Sequence, residues 1–480
     1  MFLSMSNFSG SFFFDELDKF DARIALLDGV ENITYRQLLH LSDSLKNVLS
    51  KRTLVFLSCR NSIASVIGYI AALRARCVPV LLSDRIQKEY FFRLLFAYRP
   101  KYIWLPDSND CPHGFHRLSV GLHGYQLLVS DEVASYPIAE ELALLMTTSG
   151  STGSPVFVRQ SYENLHANTA AICDILNIQP SDRPVTTLPM HYTYGLSVLN
   201  THLSQGCSIV LNEASLMEKS FWALMKNAAV TSFAGVPYTY EMLDRLRFER
   251  MTLPSLRVMT QAGGALHIDL VKKFALLCRD RNIRFYCMYG QVEATARMAV
   301  LPCDAVLTKA GSIGLAIPGG SFWLEDEEGH CIESAHVKGE LCYSGANVSL
   351  GTAASVDDLN LPDLNLGHLR TGDMAYRDED GFYFIVGRKK RFVKIFGNRI
   401  NLADIDALLG SLGYECATVG NDNQIQIYTT ALAHEHRQML INVAEHLAIH
   451  NSVFQVIHIN AIPRNESGKI LYAELSTDRS

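Results

Sequence analysis

The stretch Leu142-Ala-Leu-Leu-Met-Thr-Thr-Ser-Gly-Ser-Thr-Gly-Ser-Pro155 decides how the rest of the chain is interpreted. It begins as a short apolar run and ends in a loop of Gly, Ser and Thr. A buried strand that leads into such a loop presents hydroxyl and backbone N–H groups to one point, which is how polyphosphates are bound. The Gly-Lys-Ser/Thr ending of a P-loop is missing. Taken alone, the stretch is equally compatible with a plain Ser/Gly connector, so the residues that follow it decide.

The length and composition predict at least two domains and limit the classes of partner. The chain has 480 residues, of which 48% are hydrophobic and 19% charged, enough for more than one sizeable core. The formal net charge of -6 provides no global basic field that would attract nucleic acid or an anionic membrane. The basic cluster Arg388-Lys-Lys-Arg391 is more typical of a solvated or ligand-facing loop than of a nucleic-acid patch.

The cysteines and apolar segments predict a cytoplasmic protein that does not insert into a membrane. The eleven cysteines show neither CxxC pairs nor CxxH spacing, which is typical of reduced thiols and argues against a disulfide framework or a zinc site. The N-terminus lacks the basic start and the continuous apolar core of a signal peptide. The apolar segment 65–82 contains Arg74 and Arg76, which interrupt it too strongly for a bilayer span.

Short apolar runs alternate with stretches of helical spacing, which predicts an α/β fold with mainly parallel sheets flanked by helices. Thr34 is the expected N-cap of a first helix, whose apolar residues fall at 38, 41, 45, 48 and 49. Residues 106–141 are polar and are expected to be irregular. The predicted strands are 53–57, 77–82, 101–105, 184–188, 207–211, 231–236, 257–261 and 284–288, and further helices are predicted at 63–73, 88–97, 164–176 and 221–227.

The pattern changes in the last third of the chain. From Gly311 short strands are separated by Gly and Asp turns, as at 339–343 and 381–386, which indicates an antiparallel β subdomain over about 311–386. We therefore expect a large N-terminal domain over residues 1–386 and a small mobile α+β lid domain over residues 387–480.

Several polar residues fall at predicted strand ends, where ligands bind in parallel sheets. Alone, His191 is compatible with an ordinary core histidine, residues 261–265 with a tight turn, and Glu293 with a surface carboxylate. Opposite a phosphate loop, however, a carboxylate is suited to hold Mg²⁺ on a triphosphate. Asp373 follows a Gly turn and can accept both hydroxyls of a ribose. Lys469, at the tip of a loop, suits an oxyanion that forms in a transition state, although a solvated lysine explains it as well.

Taken in chain order, these motifs resemble those of the adenylate-forming superfamily, which comprises acyl-CoA synthetases, aryl-CoA ligases and the adenylation domains of peptide synthetases. The resemblance extends from Thr34 to Lys469, and so many motifs in one order are not expected by chance. The matching motifs are Thr148-Ser-Gly-Ser-Thr-Gly-Ser-Pro155, His191-Tyr-Thr-Tyr-Gly195, Ala262-Gly-Gly264, Tyr289-Gly-Gln-Val-Glu293, Thr371-Gly-Asp373, Gly387-Arg-Lys-Lys-Arg-Phe-Val-Lys394, Gly397-Asn-Arg-Ile400 and Gly468-Lys469.

The resemblance implies which residues would bind ATP and Mg²⁺. The β- and γ-phosphates would be bound by the loop residues Thr148, Ser149, Gly150, Ser151, Thr152 and Gly153. The adenine would lie in a slot formed by Gly263, Gly264 and Tyr289, and the ribose would be held by Asp373 and Arg388. The metal site would be formed by Glu293 and Thr148.

The resemblance also implies the catalytic and thiol-binding residues. Lys469 would bridge the attacking carboxylate and the α-phosphate, and His191 would line the acyl pocket and gate the thiol channel. Lys390 would be the hinge about which the lid rotates between two half-reactions. Lys394 and Gly397 lie in the segment that would line the pantetheine tunnel after this rotation.

The reaction that these roles imply is the ATP-dependent activation of a carboxylic acid. Transfer of the acid to AMP supplies a good leaving group, and the thiol of CoA or of a phosphopantetheinyl carrier protein then attacks the acyl adenylate. Any carrier protein would be free-standing, since no attachment motif follows Lys469. Around the histidine motif Tyr192, Tyr194 and Leu196 are uncharged, which favours an uncharged acyl or aryl acid over an amino acid.

Two departures from the family pattern leave alternatives open. The lysine that usually follows the proline of the phosphate loop is replaced by Val156, and the threonine before the metal-binding glutamate by Val292. Losing one charge-assisted contact costs about 1.5–3 kcal/mol, which would slow an enzyme without abolishing its activity. Arg159 is a candidate substitute for the lysine, although strand alternation would turn it to the opposite face. The alternatives are a nucleotide-binding pseudoenzyme with a regulatory role, and an adenylate-only ligase that passes its acyl group to an amine or hydroxyl.

Overall fold

The computed structural model describes residues 11–132, 135–147, 156–395, 398–421, 423–447, 449–465, 468 and 470–475. The chain forms two compact units, which are described separately. The first comprises Met1–Ser321 and Ser344–Leu369, and the second comprises Phe322–Tyr343 and Arg370–Ser480. The domain boundary between residues 386 and 387 stays a prediction.

The helices and strands agree in order and position with most of those expected from the sequence. The α-helices of the described residues are α1 Tyr35–Lys46, α2 Ile63–Arg74, α3 Lys88–Tyr98, α4 Tyr162–Leu176, α5 Thr193–Ser204, α6 Lys219–Asn227, α7 Pro237–Arg245, α8 Ile268–Asp280, α9 Leu402–Ser411, α10 Ala433–Leu447 and α11 Tyr472–Leu475. The strands are β1 Ile24–Leu27, β2 Asn32–Thr34, β3 Leu54–Cys59, β4 Val78–Ser83, β5 Tyr102–Pro106, β6 Phe115–Leu122, β7 Tyr125–Ser130, β8 Leu142–Thr147, β9 Phe157–Ser161, β10 Pro184–Val185, β11 Ile209–Val210, β12 Ser232–Gly235, β13 Val258–Gln261, β14 Arg284–Tyr289, β15 Ala299–Leu301, β16 Leu315–Ala316, β17 Gly320–Glu325, β18 Gly339–Gly345, β19 Thr352–Ala353, β20 His368–Arg377, β21 Tyr383–Arg388, β22 Phe392–Ile395, β23 Asn398–Asn401, β24 Cys416–Gly420, β25 Ile425–Thr429 and β26 Phe454–His458.

The first unit contains two large mixed sheets with helices packed between them. The strand orders are β19-β9-β8-β4-β3-β5-β7-β6 and β16-β15-β14-β13-β12-β10-β11-β1-β2. Apolar residues of α1, α2 and α5 form one buried cluster with residues of β3 and β8 from one sheet and of β11 from the other. Helix α1 starts as expected, because the Thr34 hydroxyl accepts a bond from the Gln37 backbone N–H while the Gln37 side chain accepts from the Thr34 N–H.

The expectation of an irregular segment over residues 106–141 is wrong. Strands β6 and β7 form an antiparallel hairpin there, and β7 pairs with β5. On β7 the first four residues, from Tyr125 to Leu128, are buried, whereas β6 alternates between exposed and half-buried residues because it lies at the edge of the sheet. The polar residues that suggested a loop therefore belong to an edge strand, in which one face is solvated.

The second unit combines three smaller sheets. Strands β17, β18, β20 and β21 form a four-stranded sheet in which β20 and β21 pair antiparallel. Strands β22 and β23 form an antiparallel two-stranded ribbon, and β24, β25 and β26 form a third sheet. Helices α9 and α10 pack on this third sheet through Ile405, Leu409 and Met439, which are buried in one cluster with Ile425 and Ile427. This is the mixed α+β organisation expected for the C-terminal part of the chain.

None of the helices in the described part of the chain is long and apolar enough to cross a membrane.

Candidate active site

The strands that flank the proposed phosphate loop lie where the sequence predicts them. Strand β8 ends at Thr147, and β9 pairs with it antiparallel, with Thr147 opposite Phe157. The loop residues, Thr148 to Gly153, lie outside the described residues, as do Gly397 and Lys469, and so does the side chain of Lys394. The roles proposed for them rest on the resemblance alone.

Glu293 lies in a one-turn 3₁₀ helix directly after the carboxyl end of β14. The backbone of this turn is held by residues that are distant in sequence. The Gln160 side chain donates to the carbonyl of Val292 at 2.9 Å, and the Ser349 backbone N–H donates to the carbonyl of Glu293 at 2.8 Å. Both bonds use main-chain oxygens, so they hold the turn without using the half-buried carboxylate of Glu293.

Two further contacts fix the end of the same turn. The Asn347 amide donates to the carbonyl of Ala294 at 2.8 Å, and the Thr295 hydroxyl donates to the carbonyl of Asn347 at 2.8 Å. Thr295 and Ala296 both have positive φ, of 54° and 94°, which is uncommon for residues with a Cβ. Such a backbone persists when its surroundings over-determine it, and strained segments of this kind occur at ligand sites.

Gly290 allows the backbone after β14 to pass close to the backbone of Ala296. A Cβ atom at this position would lie 1.6 Å from the carbonyl oxygen of Ala296, so no other residue fits without displacing the turn. The glycine of the Tyr289-Gly290 motif is therefore required by close approach of the backbone to itself.

The residues proposed for the adenine slot lie on two neighbouring strands. Strands β13 and β14 are parallel and in register, with Gln261 opposite Cys287, so their carboxyl ends share one edge of the sheet. At this edge Gln261 donates to the carbonyl of Gly264 at 2.8 Å, closing a turn in which Gly263 has a φ of +84°. The structure thus brings Gly263, Gly264, Tyr289 and Glu293 to one edge.

The histidine motif is placed by helix α5 rather than by a strand. His191 is half-buried and lies just before the helix, which begins at Thr193. A Cβ atom at Gly263 would lie 2.5 Å from the Tyr192 hydroxyl. The Tyr192 side chain of the histidine motif therefore contacts the turn proposed for the adenine slot. Burial raises the pKa of Tyr192 to about 12, which keeps its hydroxyl neutral.

Arg297 is a residue of the site region that the sequence reasoning missed. It is 2% exposed, and its guanidinium donates to the Ser197 hydroxyl at 2.7 and 3.0 Å and lies 5.7 Å from the Tyr194 ring centroid. Burial lowers the pKa of Arg297 to about 10, so it stays protonated at neutral pH. A positive charge therefore lies beside Tyr194, although the histidine motif itself is uncharged. Its position four residues after Glu293 was the available signal.

Arg159 does not replace the lysine that is missing at Val156. Its buried guanidinium donates to the backbone carbonyls of Leu350, Leu361 and Pro362, at 2.5, 2.6 and 3.0 Å. Because these bonds occupy the guanidinium in the core, Arg159 holds the segment that follows β18. The prediction from strand alternation, that Arg159 faces away from the position of the missing lysine, agrees with these contacts.

Within the second unit, Asp373 and Arg388 lie directly opposite each other on β20 and β21. The Arg388 Nε atom is 2.9 Å from Asp373 Oδ1, and the Thr371 hydroxyl accepts a bond from the Asp373 backbone N–H at 3.1 Å. The structure therefore brings the two residues proposed for the ribose together, with the aspartate buried and the arginine exposed.

The basic cluster at 388–391 pairs with acidic side chains. In addition to the Arg388 contact, Lys389 lies 2.7 Å from Glu340, and Arg391 lies 2.9 Å from Asp406. Three of the four cations of the run are thus paired with carboxylates, and the side chain of Lys390 lies outside the described residues. That the run is no nucleic-acid patch stays a prediction. Arg391 also lies over the ring of Tyr472, 4.0 Å from its centroid.

The donor set fits Mg²⁺ held mainly by a nucleotide. In the described parts of the chain no group of three or more His, Cys, Asp or Glu side chains could hold a metal ion. Mg²⁺ commonly uses one or two carboxylates and takes its other ligands from phosphates and water. A single carboxylate on a rigid turn, that of Glu293, matches this requirement.

Comparisons with known proteins agree with these features. The family model described as AMP-binding enzyme matches residues 13–352. A 2-succinylbenzoate–CoA ligase from Bacillus velezensis is 25% identical over 477 residues, which are 95% of this chain and 95% of that protein. The o-succinylbenzoate CoA synthetase from Bacillus subtilis with its acyl-adenylate intermediate superposes with a TM-score of 0.79 at 19% identity, covering 98% of this chain and 99% of that chain. The same enzyme with ATP and magnesium ion gives 0.74 at 20% identity, covering 96% and 98%.

These comparisons confirm the predicted superfamily, the α/β fold with a small C-terminal domain, and the class of AMP-forming acid–thiol ligase. The family match alone covers residues 13–352, well over half of the 480-residue chain. The chain therefore belongs to the AMP-binding enzyme family.

Proposed function

We propose that this protein activates a carboxylic acid with ATP, releases pyrophosphate, and transfers the acyl group from the adenylate to the thiol of CoA. The observation that carries the proposal is the fixed turn of Glu293, which lies at the same sheet edge as Gly263 and Gly264. The names of the relatives support CoA as the acceptor. A free-standing carrier protein has no such support and stays a prediction.

The chain's own residues would bind and orient the reactants. Glu293 would hold Mg²⁺ on the triphosphate, where the metal supplies charge neutralisation as phosphate charge develops. The ion pair of Asp373 and Arg388 would present one carboxylate and one cation to the ribose. Lys469 would bind the acid and the α-phosphate, and rotation about Lys390 would bring Lys394 and Gly397 to the thiol. The cytoplasmic localisation also stays a prediction.

An aryl acid is the first substrate class to test. The relatives are ligases of 2-succinylbenzoate, an acid with an aromatic ring and two carboxyl groups. In this chain the half-buried Tyr192 belongs to the histidine motif, and its hydroxyl stays neutral because burial raises its pKa to about 12. Tyrosine faces suit an aromatic acid.

The test is pyrophosphate release with ATP, Mg²⁺ and a panel of aliphatic, aryl and amino acids that includes 2-succinylbenzoate. Each acid is assayed with and without CoA, beside the Lys469→Ala protein. We expect release that depends on one aryl acid, increases with CoA and is lost in the variant. Release that CoA does not increase would point to another acceptor. Binding of ATP without release from any acid would contradict the proposal.

The pseudoenzyme is the second candidate, and the structure sharpens the reason for it. Arg159, the candidate that the sequence offered, is used in the core and does not replace the lysine missing at Val156. A substitution can measure what this absence costs. Val156 follows the phosphate loop directly and is half-buried, so a long side chain has room to reach solvent.

Val156→Lys is expected to increase the rate of acid-dependent pyrophosphate release by about 10-fold, because one regained charge-assisted contact is worth about 1.5–3 kcal/mol. Val156→Met is the matched control for side-chain length. We would measure kcat and the KM for ATP in both variants. If wild type is inactive and the Val156→Lys variant is active, the wild-type protein is a pseudoenzyme that lost its activity with the lysine. If neither variant changes the rate, the loop functions without the lysine.

A further inference from the structure

Helix α3 carries an exposed stripe that its own packing does not explain. Phe92 and Phe96 are 52% and 88% exposed. With 3.6 residues per turn, Lys88, Phe92 and Phe96 fall within about 80° of the helix circumference. The exposed Arg99 follows directly as the C-cap residue, with a left-handed backbone. The other face of the helix, with Leu94 and Tyr98, is buried in the core of the eight-stranded sheet. The α3 stripe, defined by Lys88, Phe92, Phe96 and Arg99, therefore contributes little to the fold.

Helix α3 and the residues that directly flank it carry more basic than acidic side chains, in a chain that is acidic overall. Residues 85–101 contain five basic residues, Arg85, Lys88, Arg93, Arg99 and Lys101, and one acidic residue, Glu89, whereas the whole chain has a formal net charge of -6. Lys88 forms only a loose pair with Asp110 at 3.9 Å, with both side chains at least 80% exposed. Arg99 lies over the ring of Tyr136, which is neutral and leaves the positive charge in place.

The charge decides between the possible occupants of the stripe. A second copy of the chain in a two-fold dimer would bring identical patches together, so the cations of one helix would face those of the other. An anionic lipid surface instead attracts basic residues by about 1 kcal/mol each, and aromatic rings lie favourably at the boundary between headgroups and acyl chains. We propose that the α3 stripe docks this protein reversibly on the surface of bilayers that contain anionic phospholipids.

The experiment is co-sedimentation of the full chain with vesicles of phosphatidylcholine alone and of phosphatidylcholine mixed with phosphatidylglycerol, at low and high salt. The variants are Phe92→Ser with Phe96→Ser, and Lys88→Gln with Arg99→Gln. Leu364→Ser with Leu366→Ser is the control, because these leucines are also exposed, at 58% and 70%, and lie outside α3. Pyrophosphate release in solution serves as the check that each variant is folded.

We expect wild type and the leucine variant to bind the mixed vesicles at low salt and to be released at high salt. The phenylalanine variant should lose at least about 10-fold in bound fraction, since each ring is worth more than 1 kcal/mol of transfer free energy. The basic variant should lose the preference for phosphatidylglycerol. Absence of wild-type binding, or equal binding of the phenylalanine variant, would overturn the proposal. Self-association in the absence of vesicles that the phenylalanine variant abolishes would assign the stripe to a second copy instead.

Discussion

Glu293→Gln is expected to lower acid-dependent pyrophosphate release by about 10²-fold or more, because loss of a charged metal ligand removes several kcal/mol of transition-state stabilisation. The turn should survive, since Gln160 and Ser349 hold it through main-chain oxygens, 2.9 and 2.8 Å away. The thermal midpoint should therefore stay within about a degree or two of wild type, as for substitutions that remove no structural contact.

The measurement is the rate as a function of Mg²⁺ at saturating ATP. We expect the variant to need more Mg²⁺ for half-maximal rate as well as showing a lower maximum. Glu249→Gln is the matched control, because this exposed glutamate lies in another 3₁₀ helix, Phe248–Arg250. A Glu293→Gln protein with nearly wild-type rate and unchanged Mg²⁺ dependence would remove Glu293 from the metal site.

Gly290→Ala is expected to abolish activity and to destabilise the first unit by about 3 kcal/mol, the upper end of the usual cost of overpacking, because the added atom meets backbone. The added Cβ would lie 1.6 Å from the Ala296 carbonyl oxygen, which belongs to the backbone and cannot turn away like a flexible side chain. The turn that carries Glu293 must then move as a whole.

The matched control is Gly410→Ala. Gly410 lies inside helix α9 with no atom within 4 Å of an added Cβ, so the same substitution should stabilise its helix by up to about 1 kcal/mol. Urea denaturation of both variants, followed by tryptophan fluorescence and far-UV circular dichroism, measures the change in the free energy of unfolding that each substitution causes. Wild-type stability and activity in the Gly290→Ala protein would contradict the close approach of Gly290 to Ala296.

The sequence was most informative where the signal is local. The apolar run before the phosphate loop forms β8, Thr34 caps α1, and the strand and helix alternation from residue 53 onward is reproduced with shifts of a few residues. Propensity, capping and periodicity act over a few residues, so they can be read directly from the chain. The order of the motifs was sufficient for the superfamily.

Sequence reasoning failed where a residue's role depends on a distant partner. The polar segment 115–130 forms a hairpin because β5 offers an edge for β7. Likewise, the Arg297 guanidinium is held by the Ser197 hydroxyl, which lies 100 residues away in sequence.

The sequence by itself determined the family, the positions of most of the main strands along the chain, and which residue types are available for nucleotide chemistry. Only the tertiary structure decided how the Glu293 turn is held and that Arg159 is not available to a phosphate. The Gln160 bond to Val292 spans 132 positions, and the bonds of Arg159 span about 200. Such contacts form because folding places buried polar groups where their hydrogen bonds can be satisfied, and their partners are chosen by the packing of whole elements.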